Sequence, residues 1–185
     1  MDKGTWIIGG ITVLAFVGIG IAAATGADSP ATDPGESSGA EIEGVETTER
    51  TDRTHTQESV TYERTPPTGG PHRPTWLDCN GTSYDEPVEN ELAVHGLEHG
   101  AVWISYSSTT ATSTVSALED KLAGYTFLSP VPDQTAPIKL TAWGKQLSLD
   151  SADDPRLDQF LSKFRQGPQT PEPGATCNAP DGRSM

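Results

Sequence analysis

The sequence is short of sulfur. It holds two cysteines and two methionines in 185 residues, and the methionines are the terminal residues Met1 and Met185. A copper(I) site built on thioethers is therefore not expected. The cysteines, Cys79 and Cys177, do not form a Cys-x-x-Cys, which argues against thiol–disulfide exchange. Basic residues are scarce too: 12 Lys and Arg against 26 Asp and Glu, a formal net charge of −14. A chain this acidic is repelled by phosphate backbones, so nucleic acid is not an expected partner. Hydrophobic residues make up 34% of the chain, and many of them lie in the first 27 positions. The soluble remainder has material for one modest domain, and no internal repeat points to a larger array.

One long apolar run is present. Residues 6–25 carry no charge, and about twenty residues at 1.5 Å rise span a bilayer as a helix. Lys3 precedes the run and an acidic stretch follows it. That asymmetry places the N-terminus in the cytoplasm and the rest outside, in a single-pass cell-membrane protein. A cleaved signal peptide is the rival reading, since Thr25-Gly26-Ala27 has the small residues of a cleavage site. Both readings export the chain. In an exported chain a lone, widely spaced cysteine pair is expected as a disulfide, Cys79–Cys177. Closing a loop of nearly a hundred residues is worth roughly 4–5 kcal/mol in the chain-entropy account.

Residues 28–60 are rich in Glu, Thr, Ser, Gly and Asp and carry almost no large apolar side chain. Such a segment buries too little surface to offset its ordering entropy and is expected to be a disordered acidic linker. Its histidine, His55, is expected to be solvated. The folded domain is expected over residues 61–178, with a short tail at 179–185.

Within that domain the stretch 66–74 has four prolines and two glycines, a stiff loop that presents His72. The run 101–106, Ala-Val-Trp-Ile-Ser-Tyr, reads as a buried strand. Residues 112–123 space Val115, Leu118 and Leu122 as a helix, with Gly124 placed at its end. Tyr125 to Leu128 makes another strand. Residues 138–143 alternate as a half-exposed strand, and Gly144-Lys145 turns into 146–149. Asp154-Pro155 opens a last helix with a Leu157, Phe160, Leu161, Phe164 stripe. The sum is an α+β domain: a small mixed β-sheet covered by two helices, preceded by the transmembrane helix and the disordered linker. The closing strand–strand–helix, with Pro137 before a strand, resembles the C-terminal half of a thioredoxin fold.

The chemistry concentrates at His95-Gly96-Leu97-Glu98-His99. On a helical turn His95 and His99 share a face and can ligate one ion, whereas on a strand they lie roughly 13 Å apart. A short helical turn feeding the strand at Ala101 is expected. With His72 brought in from the proline-rich loop, three imidazoles suit zinc or copper(II). The first reading is thus a membrane-anchored extracytoplasmic domain that binds a transition metal at His72, His95 and His99. Two others stay open. His-x-x-Glu-His matches the inverted zinc-peptidase pattern, a metal-dependent hydrolase with Glu98 as general base, although a domain of this size leaves little room for the second ligand helix. Alternatively, the histidines are structural and the domain is a non-catalytic interaction module.

Three motifs together carry a likeness: Pro66-Pro67-Thr68-Gly69-Gly70-Pro71-His72, then His95-Gly96-Leu97-Glu98-His99-Gly100-Ala101-Val102, then Thr141-Ala142-Trp143-Gly144. Over about residues 60–178 the chain resembles an exported prokaryotic family catalogued as domain-of-unknown-function family 3105. The resemblance implies an N-terminal membrane segment, a variable linker and one domain, and supplies no reaction. Gly69 stands where the family pattern usually has serine.

Overall fold

A computed structural model of the chain describes residues 41–50 and 52–180. The expected anchor at 1–27, the first part of the expected linker and the tail beyond residue 180 lie outside the described residues. Among the described residues no helix is long and apolar enough to cross a membrane.

The elements in order are β1 (Glu46–Thr47), β2 (Asn80–Ser83), α1 (Asn90–Glu98), β3 (Val102–Tyr106), α2 (Thr112–Glu119), β4 (Thr126–Pro130), β5 (Ile138–Ala142), β6 (Lys145–Leu149) and α3 (Pro155–Phe164). The fold is α+β, as expected, but the sheet is larger and the described residues form three helices. Six strands run in the order β1-β6-β5-β3-β4-β2. β4 is parallel to both β2 and β3, while β5 and β6 form an antiparallel hairpin beside β3. The expected helical turn at the histidine motif is a full nine-residue helix, α1.

Period-two alternation divides the core between the faces of the sheet. Val102, Ile104, Leu128, Ile138, Leu140, Leu147 and Leu149 pack with Leu118 of α2 and with the Leu157, Phe160, Leu161, Phe164 stripe of α3. Asp154 caps α3 by accepting from the Arg156 amide at 2.9 Å, and Pro155 occupies the first turn, as the sequence indicates. Trp103 and Phe127 face the other way, against Ala93, Val94 and Leu97 of α1 and the disulfide. Expected to be half-exposed, β5 is covered on this second face as well. Thr141 is fully buried. The proline-rich loop lies over it: Gln146 donates to the Pro66 carbonyl and to Thr141 Oγ1, each at 3.0 Å, and Lys139 Nζ donates to the Thr65 carbonyl at 2.8 Å.

Cys79 and Cys177 form the disulfide, with Cα atoms 4.9 Å apart across a sequence separation of 98. It lies against α1. A Cβ on Gly96 would meet Cys79 Sγ at 3.3 Å, so this helix-weakening glycine lets α1 rest on the bridge. Gly100 ends the helix at φ +93°, where a Cβ would stand 2.5 Å from Gln166 Nε2. Only glycine fits there.

The expectation of a disordered linker through residue 60 fails over the described part of its second half. Ile42 is buried beside α3 and contributes to that core. β1 pairs antiparallel with β6, Glu46 opposite Gln146 and Thr47 opposite Lys145. Farther on, the Thr48 amide donates to Gly144 and the Trp143 indole donates to the Arg50 carbonyl. Side-chain composition missed this docking because the attachment runs through backbone groups, which every residue type carries.

Opening the disulfide releases the largest covalent loop of the domain. Cys79→Ala/Cys177→Ala is expected to cost about 2–5 kcal/mol. Urea unfolding of the variant and of the oxidised parent checks this, and coincident midpoints would contradict it.

Candidate metal centre

Three pieces of chain converge beside α1. The proline-rich loop is the first. The amide of His72 donates to the Thr54 carbonyl at 3.0 Å, and the Thr56 amide donates back to His72 at 2.7 Å, a short parallel bridge that lays His55 over His72. The loop is fastened to the start of α1 as well. Arg73 Nε donates to Glu89 at 2.6 Å and the Arg73 amide to the Glu91 carbonyl at 3.4 Å, while the N-terminal segment adds the Val60 amide to Glu91 Oε1 and the Tyr62 hydroxyl to the Pro71 carbonyl, each at 2.7 Å. Helix α1 itself supplies His95 and Glu98. The tail pinned by the disulfide closes the far side.

The result is a cluster of His55, His72, His95 and Glu98 whose ligand atoms all lie within 4.8 Å of one another. The three rings are each 4.9 Å from the other two, with His55 stacked on His95 and His72 set edgewise to both. His72, His95 and Glu98 are buried, whereas the His55 side chain is 47% exposed. His55 thus forms the outer wall.

Backbone carbonyls fix the tautomers. Nδ1 of His72 lies 2.8 Å from the Gly70 carbonyl and Nδ1 of His95 lies 2.6 Å from that of Arg73. A carbonyl oxygen only accepts, so each Nδ1 carries a proton and each Nε2 is turned to the cluster. His72 Nε2 then stands 2.9 Å from Glu98 Oε2, another acceptor. Two acceptors at that separation need something shared between them: a further proton or a metal ion. Carbonyl-anchored imidazoles are also how metal-ligating histidines are held.

The electrostatics fit this picture. Burial pushes the His95 imidazole down to about 4; its bond to Arg73 opposes this, and the neighbouring His99 and His72 push the same way. Burial raises the Glu98 carboxyl, but the hydrogen bond from His72 and the charges of His72, His95 and His55 outweigh it and hold the group below its ordinary range. Arg53, half-exposed, approaches Glu98 Oε1 to 3.9 Å.

Of the residues singled out by sequence, the structure brings His72 and His95 together and leaves His99 outside the converging four. The His99 ring touches His95, centroids 4.6 Å apart, and packs against Trp76. Its Nδ1 donates to the Thr176 carbonyl at 2.7 Å and its Nε2 faces Glu172 at 3.8 Å. Burial lowers its imidazole, while the Thr176 bond and the Glu172 and Glu98 charges counter that shift. At about 100° per residue, Glu98 lies about 60° to one side of His95 and His99 about 40° to the other, viewed down the helix axis. Glu98 falls on the loop side and His99 on the tail side. The inverted zinc-peptidase arrangement, with both histidines on one ion and a free glutamate, is therefore not the geometry seen. His55, expected to be solvated, is the residue sequence reasoning missed. A signal was available: the chain has four histidines, and all four meet here.

About 3.4 Å separates neighbouring ligand atoms around a tetrahedral zinc. Contraction from 4.8 Å is needed, and half-exposed His55 has room to supply it.

The low imidazole of His95 makes the metal-free fold acid-sensitive. The unfolded chain takes up a proton near pH 6.5 and the folded chain only near 4. Stability should therefore be level above pH 7 and fall by on the order of 3 kcal/mol as pH drops from 6.5 to 4. The lowered Glu98 carboxyl adds a further loss below that window. Urea midpoints in chelator across pH 4–8 measure this, and His95→Gln should remove most of the slope. A slope unchanged in that variant would place the titration elsewhere.

No curated protein and no solved structure matches the chain. Residues 53–179 match the family described as Protein of unknown function (DUF3105). That span takes in all four histidines, Glu98, both cysteines and every strand but β1. With most of its length covered by the match, the chain belongs to the DUF3105 family.

Proposed function

We propose that this domain binds a divalent transition ion, zinc or copper(II), through His55, His72, His95 and Glu98. The observation that carries the reading is the His72–Glu98 contact: a proton fixed on Nδ1 leaves Nε2 and a carboxylate oxygen 2.9 Å apart in a buried site. A metal ion satisfies both, and a neutral His95 offers its Nε2 to the same point. Three imidazole nitrogens and one carboxylate oxygen are a donor set for zinc or copper(II). His99 serves as a packing partner of His95. Glu98 acts as a ligand, with its Oε2 already turned to His72.

Elemental analysis of the purified full chain and calorimetric titration with zinc and with copper(II) test this. One ion per chain is expected, with affinity weakened by at least about tenfold in His72→Gln and in Glu98→Gln. His99→Gln should stay within about threefold of the parent. Metal ligands bind in their deprotonated forms, so the apparent enthalpy should change with the ionisation enthalpy of the buffer. No ion above background, together with no thermal shift on adding either metal, would overturn the proposal.

We further propose that the domain lies on the extracytoplasmic side of a membrane that residues 6–25 cross. The uncharged run supports the anchor. The disulfide suits an oxidising compartment. Protease added to intact cells should digest the domain. Protection until the cells are lysed would place it inside.

A further inference from the structure

Beyond the cluster, on the far side of Arg53, lies a cleft of different make. It has a volume of about 420 Å³ and lies between the docked N-terminal segment and the turn between β5 and β6, with Arg50, Arg53 and Lys145 in its lining. One acid lines it, the exposed Glu49. The chain has 12 bases to 26 acids, so three bases on one cleft run against its overall charge. The buried Trp143 forms part of the wall, anchored by its indole N–H to the Arg50 carbonyl at 3.1 Å.

The cations are held in place largely by neutral groups. Lys145 Nζ donates to Thr47 Oγ1 at 2.9 Å, which leaves the ammonium with donors to spare. Arg50 Nε donates to Thr68 Oγ1 at 3.2 Å, and its nearest carboxylate, the largely exposed Glu63, is 3.7 Å away. Arg53 reaches Glu98 only at 3.9 Å, beyond hydrogen-bond range. Holding three like charges around one concavity costs repulsion that no short ion pair among the described residues relieves. A bound anion relieves it. Guanidinium groups suit the paired oxygens of a carboxylate or phosphoryl group, and lysine adds a point charge.

We propose that this cleft binds a small organic oxyanion, its carboxylate or phosphoryl head held by Arg53, Lys145 and Arg50 and its body lying along Trp143. The volume exceeds what a bare inorganic ion fills and falls in the range of small-molecule sites. The site is distinct from the metal cluster and does not depend on a metal being bound there. It shares one boundary with the cluster, the Arg53–Glu98 approach.

The test is an amide-shift NMR titration of the full chain in chelator, at fixed ionic strength, with sodium benzoate, inorganic phosphate and neutral benzamide. Saturable shifts at Gly144 and Lys145 are expected with benzoate, phosphate or both, and not with benzamide. Benzoate alone would identify a carboxylate site and phosphate alone a phosphoryl site. Arg53→Gln and Lys145→Gln should each weaken binding by about tenfold, the scale of one hydrogen bond to a charged group. Lys121→Gln, a surface lysine paired with Asp158, should leave it unchanged. The proposal is overturned by no saturable shift with either anion, by equal binding of benzamide, or by unchanged affinity in both cleft variants.

Discussion

Three hydrogen bonds from imidazole Nδ1 groups to main-chain carbonyls organise the site, and much of the molecule serves to make them. The acceptors are Gly70, Arg73 and Thr176. Two belong to the proline-rich loop and one to the C-terminal tail. Neither segment has regular structure, so each needs outside restraint to offer a carbonyl at a fixed place. Proline and the Thr54–His72–Thr56 bridge restrain the loop, and the disulfide at Cys177 restrains the tail one residue beyond Thr176. The rings are thereby set by covalent and backbone geometry, which side-chain variation elsewhere leaves undisturbed.

This order has an electrostatic counterpart. Glu98 is a nearly inaccessible carboxylate in a chain already rich in negative charge. Burying such a group is costly unless it is compensated. The compensation comes from His72 in contact, His95 and His55 around it, and Arg53 at the mouth. Those cationic or potentially cationic groups come from three separate segments. An unfolded chain has no means of gathering them, and the site therefore exists only when the sheet, the loop and the N-terminal segment are all in place.

Much of this was legible in the sequence. The alternation of Ile138, Leu140 and Ala142, the stripe on α3 and the Asp154-Pro155 cap are local patterns, and local patterns report local structure. The cysteine pairing followed from there being only two. What could not be read was whatever depends on contacts between distant segments. β2 is four residues with no apolar pattern, held by a parallel ladder to β4. β1 is two residues held by β6. His55 lies in a polar stretch whose composition says solvent, and it joins the cluster through the backbone of His72. His99 was misjudged for a subtler reason. Helical periodicity places it near His95, as it is, but which flank of the helix meets the loop and which meets the tail is a tertiary fact.

The short pairing of β1 with β6 bears on how copies of this domain behave toward one another. Without residues 46 and 47, the outer edge of β6 at Lys145 and Gln146 would expose unsatisfied amide and carbonyl groups, a template on which another chain can add a strand. The docked segment occupies that template at Lys145 and Gln146, and its sequence carries Glu43, Glu46 and Glu49. A domain trimmed to its most hydrophobic part would therefore lose His55 from the cluster and gain a sticky edge. The polar lead-in guards against self-association.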